Sequence, residues 1–90
     1  MSLAPPRVAA VFALALALSS VGCLQKAAEH RLRANAFLRG NDAASALKEC
    51  DDGLADHKDD LPLLILRGKA LFELDRLDDA RGSYAEAVRV

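Results

Sequence analysis

Sliding residues 61–90 back by 34 positions lays this chain onto itself without a gap, and that internal repeat constrains its fold more than any other feature. Leu66-Arg67-Gly68 falls over Leu32-Arg33-Ala34, Ala70 over Ala36, Leu71 over Phe37 and Phe72 over Leu38. Further along, Ala80 falls over Ala46, Tyr84 over Cys50, Ala87 over Gly53 and Val88 over Leu54. Small and large classes match alike. Units of this kind bury their apolar faces against a neighbour, so the core is expected to lie between copies.

Each copy reads as two helices. In the second copy Asp60 is placed to cap a helix start, and Pro62 falls in the first turn, where its missing N–H costs nothing. Leu63, Leu64, Leu66, Leu71 and Leu74, with small Gly68 and Ala70, predict a largely buried helix. Asp75-Arg76 makes the turn. Leu77, Ala80, Tyr84, Ala87 and Val88 then recur at three- and four-residue steps, one face of a second helix, with Asp78 and Asp79 in its first turn. The first copy runs as helix from about Ala27 to Arg39, turns at Gly40-Asn41, which tolerate a left-handed conformation, and returns from Asp42 to about Asp56.

A 34-residue helix–turn–helix resembles the tetratricopeptide repeat. Counting Leu61 as position 1, Leu64 stands at 4, Gly68 at 8, Leu71 at 11, Ala80 at 20, Tyr84 at 24 and Ala87 at 27, the signature positions of that family with the right size class at each. The first unit matches at Ala34, Phe37 and Ala46 and departs at His30, Cys50, Gly53 and Lys58, which makes it degenerate. The resemblance implies an all-α fold of two antiparallel hairpins, one over residues 27–60 and one over 61–90.

Ahead of the repeats lies a segment of different character. Apolar residues make up 52% of the chain, but residues 1–23 carry a single charge, Arg7, while 24–90 carry all the others. The eleven residues from Val8 to Leu18 are uninterrupted apolar, followed by Ser19, Ser20, Val21, Gly22 and Cys23. A charged start, a short apolar run and small residues describe a signal peptide over residues 1–22; spanning a bilayer takes about 20 apolar residues. Ser20-Val21-Gly22-Cys23 resembles a bacterial lipobox, although Ser20 stands where Leu is usual. Lipoprotein processing would leave acylated Cys23 at the head of a short linker, 23–26; an ordinary signal peptidase accepts the same bond, and the two differ in whether Cys23 carries lipid. Acyl chains would hold the domain on a membrane without a spanning helix. In a host with two membranes, Leu24, which is not the Asp that retains lipoproteins in the inner one, points to the periplasmic face of the outer membrane.

Twelve Lys and Arg against 13 Asp and Glu, a net charge of −1, exclude a histone-like protein held to nucleic acid by its phosphates. Ninety residues leave no room for an enzyme with its own cofactor fold, and no Ser/His/Asp set or phosphate-cradling glycine loop is present, so neither catalysis nor a cofactor is expected. The pairs Cys23–His30 and Cys50–His57 are spaced too widely for a zinc site, and Asp51, Asp52, Asp56, Asp59 and Asp60 lack the ligand order of a calcium loop, so no metal is expected either. Cys50 reads as a small core residue; with Cys23 unlipidated, a Cys23–Cys50 bridge stays open to an exported chain.

The balance of charge is unevenly laid out. First helices are basic, with Arg31, Arg33, Arg39, Arg67 and Lys69, and the second helix of the first unit is acidic. The resemblance implies a peptide-binding groove lined by first helices, whose usual positions fall on Ala28, Arg31, Asn35, Leu38 and Arg39, and on Pro62, Ile65, Lys69, Phe72 and Glu73. Arg31 with Asn35, one helical turn apart, resembles the carboxylate-clamp subclass, with Lys69 a second cation; Ile65 breaks that pattern in the second unit. Against it stands the reading of a solvated charged face. The groove candidates are therefore Arg31, Asn35, Leu38, Lys69 and Phe72, and the expected partner is a protein or peptide of acidic character. The expected function is a lipid-anchored adaptor serving an envelope assembly. The alternative is a structural subunit, or a piece of a longer array, that self-associates through an uncapped end where Leu77, Tyr84 and Val88 lie uncovered.

Overall fold

A computed structural model describes residues 25–90, all of whose regular structure is helical: α1 (25–39), α2 (Ala43–Asp56), α3 (Leu61–Glu73) and α4 (Leu77–Arg89). The apolar leader, the lipobox-like residues and Cys23 lie outside the described residues. Among the described residues no helix is long and apolar enough to cross a membrane.

The 34-residue period is written into the backbone hydrogen bonds. At the end of α1, Gly40 N–H donates to the Ala36 carbonyl, Asn41 N–H to Leu38 and Asp42 N–H to Phe37 at 2.8 Å. At the end of α3 the same three bonds recur one period later: Leu74 to Ala70, Asp75 to Phe72 and Arg76 to Leu71 at 2.9 Å. This is a Schellman closure, which needs one residue in the left-handed region. Asn41 (φ 59°) and Asp75 (φ 61°) take it, not Gly40. Short polar side chains bear that conformation with less strain than most.

Caps set the helix starts. The Asp42 carboxylate accepts from Ser45 N–H at 3.1 Å, and the Asp60 carboxylate accepts from Leu63 N–H at 3.1 Å with Pro62 beside it in the first turn. Arg76 heads α4 without a side-chain cap and instead reaches Asp79, at 2.8 Å. There the dipole is met by Asp78 and Asp79 in the first turn and Arg89 in the last.

The core forms where α3 lies over α1 and α2. One cluster joins Ala34, Cys50 and Leu63, with Leu54 and Leu66 packed on it; the other joins Ala43, Ala46 and Ala70, with Phe37, Leu38, Leu47 and Leu74. Leu63 and Leu71 are fully buried, each worth about 1.5–3 kcal/mol of transfer from water. Leu66 and Leu74, expected to be buried, are half-buried at the cluster edges.

Close helix crossings depend on missing side-chain atoms. A Cβ on Gly53 would stand 2.7 Å from Leu63 Cδ1 and 3.0 Å from His30 Cβ, and one on Gly68 would stand 2.7 Å from the Tyr84 ring. Ala34, Ala46 and Ala80 are buried for the same reason, and Ala87 is half-buried.

One matched pair shows a difference between the units that involves polar partners. In the second, Leu64 is buried and its carbonyl accepts from the hydroxyl of Ser83, itself buried, at 2.8 Å. In the first, the matching positions are His30 and Glu49, whose Nδ1 and Oε2 lie 2.8 Å apart. The polar residue in signature position 4 thus sits half-buried with a charged partner.

Candidate functional site

An apolar groove of about 610 Å³ opens between α1 and α3. Its walls follow from helical spacing: Ala28, Leu32 and Asn35 recur along one side of α1, and Leu61, Ile65 and Pro62 along α3. Leu32 is 70% exposed, Leu61 44% and Ile65 36%, so the groove offers apolar surface to solvent rather than to the core. Isolated exposed leucines are ordinary; three large apolar residues around one concavity are not.

Two polar groups sit in that lining, Arg31 and Asn35. Arg31 is not a free cation. Its Nη2 donates to Asp60 Oδ2 at 3.0 Å, while Asp60 Oδ1 caps α3. One carboxylate therefore ties α1 to the first turn of α3. The Arg31 Nε is buried with no hydrogen-bond partner, and such an orphan donor costs about 1–3 kcal/mol.

The structure places the five groove candidates in three settings. Arg31 and Asn35 share the groove. Leu38 packs half-buried on the Ala43–Ala46–Ala70 cluster. Lys69 and Phe72 are exposed, Phe72 to 64%, and neither lines the groove. Among the signature residues, Ala34, Ala46, Leu64, Gly68, Leu71 and Ala80 are buried and Phe37 and Ala87 half-buried, but Tyr84 is 38% exposed.

The basic face expected of the first helices is largely neutralised from within. Besides Arg31 with Asp60, Arg33 Nε lies 3.2 Å from Glu49 and Arg67 Nε 2.7 Å from Asp51. The carboxylates of the acidic helix α2 thus reach across to the arginines of α1 and α3. Burial pushes the Glu49 carboxyl up, but hydrogen bonds from His30 and Arg33, and their charges, outweigh it and hold the group below its ordinary value. Among the described residues Arg39 and Lys69 have no ion-pair partner.

Cys50, the described thiol, is fully buried, and burial pushes its pKa up to about 12. It is a packing residue that stays protonated at neutral pH, without the thiolate that nucleophilic chemistry requires.

Sequence reasoning missed Leu32, Leu61 and Leu66 as groove lining and Ser83 as a buried residue. Leu61 has a signal in hindsight, an apolar residue directly after a cap and before proline, where the first turn projects beyond the core. Ser83 has none: its burial depends on the Leu64 carbonyl of the facing helix. Comparison with protein-family models, with curated proteins and with solved structures finds no match to this chain.

Proposed function

We propose that this chain is an envelope adaptor: a pair of tetratricopeptide-type hairpins, held at a membrane by lipid on Cys23, that takes an extended segment of a partner protein in the groove between α1 and α3. The reading rests on one observation, an open apolar concavity whose polar lining is a guanidinium with an unsatisfied Nε–H and an amide. Apolar walls with a few convergent polar groups are what a peptide site requires: area for affinity, donors for orientation. Acidic groups suit it, because a carboxylate entering beside Arg31 competes with Asp60 for the guanidinium. The chemistry is recognition; the resemblance supports a part in the assembly of envelope complexes, and Leu24 after Cys23 supports the periplasmic face of the outer membrane.

Binding is tested with short fluorescent peptides that end in an apolar and an acidic residue, with free or amidated C-termini, read by anisotropy. Ile65→Glu, at a half-exposed wall position, is expected to weaken binding at least about tenfold, or 1.4 kcal/mol. Binding indifferent to that substitution overturns the groove. Radiolabelled palmitate is expected to mark the chain and to be lost in Cys23→Ser; label that persists overturns the anchor.

A further inference from the structure

The 34-residue period identifies a second surface, distinct from the groove. On α2 a stripe of four residues, Ala43, Leu47, Cys50 and Leu54, is covered by α3. One period later the same four positions on α4 hold Leu77, Arg81, Tyr84 and Val88. All four are exposed, Leu77 to 51%, Tyr84 to 38% and Val88 to 87%. This stripe therefore continues, in register, an interface that inside the chain receives a helix.

Its composition selects the helix. Where α2 has Leu47, α4 has Arg81, and among the described residues Arg81 has no ion-pair partner. A helix that laid only apolar side chains over the stripe would strip water from that guanidinium and return nothing. The spacing from Leu77 to Arg81 to Tyr84 to Val88 is four, three, four, which reads the same in both directions. Two copies of α4 packed antiparallel about a two-fold axis thus bring Leu77 onto Val88 of the second copy and Arg81 onto Tyr84 of the second copy, twice over. An arginine over a tyrosine face is attracted by the ring quadrupole. The same pairing runs the helix dipoles in opposition and brings the end carrying Asp78 and Asp79 beside the end carrying Arg89.

From this we infer that α4 is a homodimerisation helix, and that two copies of the chain join through the Leu77–Arg81–Tyr84–Val88 stripe. A two-fold contact closes on itself, so assembly stops at two copies. Each copy keeps its α1–α3 groove, which lies on other helices.

The test uses the full chain in dilute non-ionic detergent with a short bismaleimide, each variant being read against the unsubstituted chain, which shares Cys23 and the buried Cys50. The double variant Leu77→Cys with Val88→Cys is expected to give a crosslinked dimer. Either single variant is expected to give about tenfold less, because like residues of the two copies stand about 16 Å apart along antiparallel helices. Adding Arg81→Glu to the double variant is expected to cut the dimer about tenfold, as loss of two cation–π contacts implies, and Arg81→Lys to retain most of it. Circular dichroism of each variant checks that the helices are intact. Single variants that crosslink as well as the double, or a dimer indifferent to Arg81→Glu, overturn the proposal. So does a double variant with intact helices that stays monomeric, or that in host membranes crosslinks to a different chain and never to itself.

Discussion

Gly53 stands where α1, α2 and α3 converge, and giving it a methyl group tests the packing directly. A Cβ there would lie 2.7 Å from Leu63 Cδ1 and 3.0–3.1 Å from His30 Cβ and Cγ. Carbon atoms rest at about 3.5–4.0 Å, so the Leu63 contact is short by roughly 1 Å. Leu63 is fully buried, so either its rotamer or the α2–α3 spacing must give. Overpacking of that kind costs about 1–3 kcal/mol. Against it stands the gain from replacing glycine inside a helix by alanine, about 0.8–1.0 kcal/mol. Gly82 in α4 isolates the second effect, since a Cβ there meets nothing within 4 Å. Gly82→Ala is therefore expected to stabilise the protein by about 1 kcal/mol, and Gly53→Ala to fall about 1–3 kcal/mol below it. In a thermal melt followed by far-ultraviolet circular dichroism, 1 kcal/mol corresponds to about 4–8 °C in a domain of this size. Gly53→Ala with the stability of Gly82→Ala would refute the crossing as described.

Two further substitutions probe the polar contacts. Asp60→Asn keeps a cap acceptor for Leu63 N–H but removes the charge facing Arg31; it is expected to leave urea stability within about 1 kcal/mol of the parent while tightening acidic-peptide binding, and unchanged affinity would separate Arg31 from the site. Glu49 is held below its ordinary pKa in the folded chain, so the stability it confers is present above the unfolded carboxylate value and is lost as pH falls through the lower folded value. Urea midpoints measured across the acid range should therefore decline less steeply in Glu49→Gln than in the parent, and parallel declines would show that the His30–Arg33–Glu49 cluster carries no pH-linked stability.

The helices were legible because several local signals agree on each of them. Asp60 and Pro62 mark the start of α3, Asp75-Arg76 the turn after it, and apolar residues at three- and four-residue steps its buried side. Leu63, Leu64, Gly68, Ala70 and Leu71 were all read as interior and are buried. The site was legible in part. Helical spacing put Arg31 and Asn35 on one face, and they do share the groove. The family resemblance put Leu38 there as well, yet Leu38 leans onto Ala43, Ala46 and Ala70, because position on a helix does not say how far a neighbouring helix extends. The basic face misled for a related reason. Arg31, Arg33 and Arg67 are cations in sequence, but their carboxylate partners lie 29, 16 and 16 residues away and meet them only through tertiary packing.

By itself the amino-acid sequence determined the period, the four helices of the described residues, their caps and the alternation of small and large residues along them. These are short-range properties, set by backbone sterics, hydrogen bonding within a turn and the 3.6-residue repeat. Tertiary structure alone decided which equivalent residues are covered. Cys50 and Tyr84 occupy the same place in their units, and one is buried beneath α3 while the other is 38% exposed. Burial belongs to a residue and its neighbour together, and the neighbour is supplied only by tertiary packing.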